Sequence, residues 1–173
     1  MATESAPVAL ARTSLEHYLA SRRYLDAPSG LPEELRGRAG VFVSLKKHGE
    51  LRGCIGTFAP TQPDIATEII RNAVSAGTHD PRFEPVAADE LPGLDISVDI
   101  LSAPERVDSL DVLDVKKYGV IVRHGGRSGL LLPDLSGVDT VEEQVGIAMR
   151  KAGIEPHEEI ELYRFTVTRY GKE

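Results

Sequence analysis

Near the start of the chain Val8, Ala11, Leu15, Tyr18 and Leu19 recur at helical spacing, which predicts a helix over about 6–21 with one apolar stripe. Arg12 and Glu16 interrupt it, so it reads as an amphipathic helix rather than a signal peptide. Residues 26–40 carry Pro28, Pro32 and three glycines and read as an irregular connection. Val41, Val43 and Leu45 then alternate, KHGE turns the chain and LRGCIGTF returns, the pattern of a β-hairpin. Pro63 fits a first helical position, and Ile65, Ile69, Ala73 and Val74 make an apolar stripe to about Ala76. THDPRF is an irregular, proline-broken segment, and Ala87 to Leu91 suits one helical turn. LDISVDIL, 94–101, alternates as a strand, with Ile96, Val98 and Ile100 on one face and Asp95, Ser97 and Asp99 on a face expected to be solvated. YGVIVRHGGRSGLLLP is a second hairpin turning at Gly125 and Gly126. Thr140 and Glu143 form a capping-box pattern that opens a helix to about Ala152, with Gly153 as its stop. IELYRFTVTRY reads as one long closing strand. Hairpins impose antiparallel pairing, so the order predicts an α+β fold: helices packed on mainly antiparallel sheets. No repeat or linker divides residues 1–173, and the length suits one domain.

Composition removes several classes. At 41% hydrophobic and 27% charged, the chain has an ordinary globular balance. A single cysteine excludes an intrachain disulfide and any multi-cysteine metal site held by this chain alone, and an unpartnered thiol suits a reducing cytoplasm. The net charge of −7 argues against non-specific nucleic-acid binding, which depends on neutralising phosphates with Lys and Arg. No apolar run approaches the length of a membrane span. No metal-ligand spacing such as HxH or HExxH occurs, and neither a metal nor a cofactor is expected.

The candidate chemistry centres on LRGCIG. In a regular strand Arg52 and Cys54 project from one face and Leu51 and Ile55 from the other. A guanidinium close to a cysteine favours the thiolate, its nucleophilic form. Gly53 and Gly56 allow a ligand or another backbone to come close, or mark a bulge. The alternative is a cysteine that packs as a small hydrophobe, with glycines that admit a helix. Among five histidines, His17, His48, His124 and His157 read as surface, turn or helix-start residues. His79 begins HDPRF, which brings imidazole, carboxylate, guanidinium and an aromatic ring within five residues. The same segment also reads as a helix end in which His79 complements the dipole, Asp80 and Arg82 pair locally and Phe83 anchors the loop. GGRSG, with Arg123 and Arg127 beside it, offers either an anion cradle or a plain hairpin turn.

Together LRGCIGTF, THDPRF, LDISVDIL and GGRSGLLLP resemble the AMMECR domain family, whose bacterial form belongs to the AmmeMemoRadiSam system; the resemblance covers about residues 6–170. It implies a compact protein of two lobes, with the RGCIG segment near a cleft between them. Carried over by motif, the residues of interest are Arg52, Gly53, Cys54 and Gly56, then Asp80, Arg82 and Phe83; His79 stands outside the shared pattern. The resemblance also implies a Memo-like protein and a radical SAM enzyme as separate partners.

Two functional readings follow. In the first, Cys54 is the catalytic thiol of a small enzyme acting on a small metabolite or modified nucleotide, with Arg52, Asp80, Arg82 and His79 serving it and Gly53, Gly56 and Phe83 shaping the substrate site. In the second, the RGCIG strand is a packed seam, and DPRF and the GGRSG hairpin dock a partner. RNA binding is a weaker third reading, because only nine aromatic residues and no tryptophan are available as stacking platforms.

Overall fold

The structure, a computed structural model, describes residues 3–171. It contains three α-helices and eight strands: α1 Ala6–Ser21, β1 Val41–Lys47, β2 Glu50–Thr57, α2 Ile65–Thr78, β3 Leu94–Leu101, β4 Glu105–Val107, β5 Gly119–His124, β6 Arg127–Leu131, α3 Val141–Ala152, β7 Glu161–Phe165 and β8 Val167–Gly171. The strands form two four-stranded sheets, ordered β2-β1-β3-β8 and β4-β7-β5-β6. The expected α+β class is the observed one. The chain divides into two units, one ending at 100 and resuming at 168, the other spanning 101–167.

In the first unit, alternation on β1 and β3 decides what is buried. Val41, Val43, Leu45, Ile96 and Val98 face inward and pack with Ala11 and Leu15 of α1 and Ala66, Ile69 and Ala73 of α2. Helix α2 is fixed at its start by Asp64, whose Oδ1 accepts from Thr67 N at 2.7 Å. Pro63 therefore precedes the cap instead of opening the helix, and the helix runs on to Thr78. Glu68, fully buried, accepts from Thr61 N, Thr61 Oγ1 and Gln62 N and ties the connection from β2 onto α2. The three donors explain how a carboxylate tolerates the interior.

In the second unit Val107, Val120, Val122 and Leu162 of the sheet pack on Val145 and Ala148 of α3. Thr140 Oγ1 accepts from Glu143 N, and Gly153, with φ +70°, stops the helix where a side chain would be strained. Gly125, with φ +59°, turns the β5–β6 hairpin.

Several expectations need correction. The long closing strand is two strands, β7 and β8, in different sheets. Between them Thr166 pairs off-sheet, its N–H donating to Ser102 Oγ and its carbonyl accepting from Ser102 N. An unbroken alternating pattern does not reveal a strand that changes sheets. The short strand β4 was not foreseen. Asp99 is not solvated: it is buried and accepts two hydrogen bonds from Arg169, at 2.7 and 2.8 Å. His157 lies in a turn, not at a helix start.

Candidate functional site

Strand β2 is an edge of its sheet, so among the described residues one side of its backbone has no strand partner. Its pairing with β1 slips between Leu45 and Lys46: Leu45 faces Gly53 and Lys46 faces Leu51, which leaves Arg52 as the extra residue of a β-bulge. The bulge undoes the expected alternation. Cys54 lies opposite Ser44, on the face away from the helices, and Leu51 shares that face. Arg52 instead reaches Glu90, with Nε and Nη2 at 3.1 Å from the two carboxylate oxygens, and donates to the carbonyls of Glu84 and Pro85. Lys47 Nζ meets the same Glu90 at 3.1 Å. Arg52, first of all, holds the Glu90 carboxyl down at about 2. Arg52 is thus an anchor for the 84–90 segment, not a cation aimed at the thiol.

The two glycines also have structural reasons. A Cβ on Gly53 would stand 2.1 Å from the carbonyl oxygen of Ala76, so this strand can lie against α2 only with a bare backbone. A Cβ on Gly56 would stand 2.2 Å from the Phe42 ring, which lies across it.

The DPRF segment closes the free edge. Asp80 follows His79, the C-cap of α2, and opens a turn in which Phe83 N donates to Asp80 O at 3.1 Å and Arg82 N donates to Asp80 Oδ1 at 3.1 Å. Asp at the first position and Pro at the second suit this turn. The buried Asp80 carboxylate accepts Cys54 N at 3.0 Å, and Arg82 Nη2 donates to Cys54 O at 3.3 Å. Arg82 also meets Asp80 through Nε at 3.0 Å and Nη2 at 2.7 Å. The ion pair therefore occupies the place of a neighbouring strand at one residue, Cys54. Arg82, through its hydrogen bonds, is the main reason the Asp80 carboxyl sits far below the usual carboxylate range, with Cys54 N–H adding to it against the opposing effect of burial. Arg82 in turn is raised above its ordinary value, chiefly by Asp80, with the charges of Asp80 and Cys54 contributing.

Cys54 is half-buried, and its Sγ lies 3.2 Å from Ser44 Oγ. Phe83 is half-buried with Arg82 Cζ 5.4 Å from its ring centre. His79 is exposed and bonds Thr78 Oγ1 through Nδ1 at 2.8 Å. Thr78 already donates its hydroxyl proton to Val74 O, so it accepts from the His79 Nδ1–H. No hydrogen bond joins His79 to Cys54, Asp80 or Arg82. Cys54, Asp80 and Arg82 are thus brought together, Arg52 and Gly53 serve the strand's other face, and His79 stands aside.

Sequence reasoning missed Ser44 and Glu90. Counting back through the hairpin from KHGE would have brought Ser44 near Cys54, but only the bulge sets the register. In the GGRSG hairpin, Arg127 is already committed, to Glu158 Oε1 at 2.6 Å and to Gly153 O. Among the described residues, no group of three or more His, Cys, Asp or Glu side chains is placed to hold a metal ion. Nor is any described helix long and apolar enough to cross a membrane.

Helices packed on two antiparallel four-stranded sheets place the chain in the α+β class. The chain belongs to the AMMECR1 family, whose model matches residues 8–170. A Thermotoga maritima protein is 55% identical over 159 residues, covering 90% of this chain and 91% of its own length. A Clostridium acetobutylicum protein is 54% identical over 94% of this chain, which spans only 35% of that longer protein. The crystal structure of an uncharacterized Pyrococcus horikoshii protein superposes with a TM-score of 0.88 at 33% identity, covering 96% of this chain and 90% of that one.

Proposed function

We propose that this protein is a small cysteine-dependent enzyme in which Cys54 is the catalytic thiol, acting on a small metabolite or modified nucleotide. The observation that supports this most is the clasp: Asp80 and Arg82 fix the main chain of one edge-strand residue, and that residue is the sole cysteine. A cysteine that only fills space needs no such fixation; a nucleophile gains from being held in one geometry. Arg82, not Arg52, is the cation of the site, and 56% of its side chain is exposed, so an anionic substrate group can reach it. Asp80 positions rather than reacts. The enzyme works beside a separate Memo-like protein and a radical SAM enzyme. These partners are what the resemblance of LRGCIGTF, THDPRF and GGRSGLLLP to the AmmeMemoRadiSam system implies, and one relative has a chain far longer than this one.

An adaptor role draws support from Leu51 and Phe58, exposed large apolar side chains on and just after β2. One experiment separates the two. Alkylation of the single thiol by iodoacetamide is followed at pH 7 in the native protein and in the Arg82→Gln and Arg52→Gln variants, with folding checked by circular dichroism. The enzyme reading expects native Cys54 to react readily, more slowly in Arg82→Gln, and at an unchanged rate in Arg52→Gln. A thiol that reacts only after denaturant is added means a packed seam and favours the adaptor.

A further inference from the structure

We infer that Ser44 is the positioning residue of the Cys54 thiol, holding and stabilising its anionic form through a hydroxyl hydrogen bond. The inference rests on the reading of Cys54 as a nucleophile and extends it to a residue on another strand. Cys54 N–H and C=O point outward to Asp80 and Arg82, so the Ser44–Cys54 pair is one that exchanges no main-chain hydrogen bonds. Side chains approach most closely across an antiparallel ladder at such pairs. The result is the 3.2 Å separation of Ser44 Oγ and Cys54 Sγ.

Neither group is free to drift. Ser44 lies on β1, paired on one side with Cys54 of β2 and on the other with Ser97 of β3. Cys54 is held by β1 on one side and by the Asp80–Arg82 clasp on the other. Among the described residues the thiol is the only hydrogen-bond partner of the Ser44 hydroxyl. With the thiol protonated, either group can donate. Once the thiol is ionised, only the hydroxyl has a proton to offer, and the contact becomes an O–H···S⁻ bond that stabilises the anion. Arg82 supplies positive charge from the edge of the strand, and Ser44 supplies a fixed donor from the interior of the sheet.

The test uses the full chain and two readouts. The first is the iodoacetamide alkylation rate of Cys54 as a function of pH in the wild type, Ser44→Ala and Ser44→Thr. The expected result is a rate about threefold to tenfold lower at pH 7 in Ser44→Ala, with its rate–pH profile displaced to higher pH, and recovery in Ser44→Thr, which restores the hydroxyl. The second readout is the infrared S–H stretch, which a one-cysteine protein reports without overlap and which is expected to move in Ser44→Ala and return in Ser44→Thr. A Ser44→Ala protein that alkylates like the wild type, with the same pH profile, overturns the role of Ser44 and leaves Cys54 as a nucleophile. A wild-type thiol that is inert in the native protein overturns the nucleophile reading and the role of Ser44 with it.

Discussion

The clasp makes a quantitative prediction through Asp80→Asn. The carboxylate accepts four hydrogen bonds: Cys54 N and Arg82 Nη2 at Oδ2, and Arg82 N and Arg82 Nε at Oδ1. An asparagine can offer an oxygen at only one of these positions. Whichever way the amide turns, its NH2 faces two donors, so two bonds are lost along with the charge. Hydrogen bonds to a charged group are each worth about 1.5–3 kcal/mol. Arg82 is largely exposed, so solvent screens its share, and the expected destabilisation is about 2–4 kcal/mol at pH 7. Titration gives an independent check. The Asp80 carboxyl is lowered in the folded protein from about 3.8, so its contribution is complete well above that pH and is lost as the pH falls toward its depressed folded value. Asparagine has no such contribution to lose. The stability gap between wild type and Asp80→Asn should therefore narrow by about 1 kcal/mol between pH 7 and pH 3. Urea unfolding of both proteins at the two pH values measures it. A gap below about 1 kcal/mol at pH 7, or one that does not change with acid, refutes the clasp as the device that holds the strand.

Gly53→Ala should cost about 3 kcal/mol or more in urea unfolding, because its Cβ would meet helix backbone at Ala76 O, whereas Gly56→Ala meets the movable Phe42 ring and should cost less; equal costs would contradict these contacts. Glu90→Gln removes a carboxylate held at about 2, so wild-type stability lost between about pH 4.5 and pH 2 should be smaller in the variant, as acid titrations of unfolding would record. Glu158, held down to about 2 chiefly by Arg127, should titrate nearer its ordinary value in Arg127→Ala, which NMR of the side-chain carboxyl would follow.

The sequence revealed elements far better than junctions. Helices, hairpins and their stops lay in periodicity and capping residues, because Val41, Val43 and Leu45 or Thr140 and Gly153 act through local geometry. What failed was set by distant partners. Strict alternation puts Arg52 beside Cys54, but the strand contains a bulge, which arises where β2 must meet β1, α2 and the 84–90 segment together. Alternation puts Asp99 on a solvated face, and nothing near it in the chain discloses Arg169, seventy residues on. DPRF shows both cases at once. Its turn was legible from Asp80 and Pro81, and the local ion pair of Asp80 with Arg82 was among the readings of the segment. That this pair serves as a surrogate strand for Cys54 was not legible, because the open edge exists only once β2 is placed outermost in its sheet. The motif residues therefore divide by task. Gly53 and Gly56 admit neighbours, Arg52 and Glu90 tie down a loop, and Asp80 and Arg82 hold the backbone of Cys54, the sole cysteine.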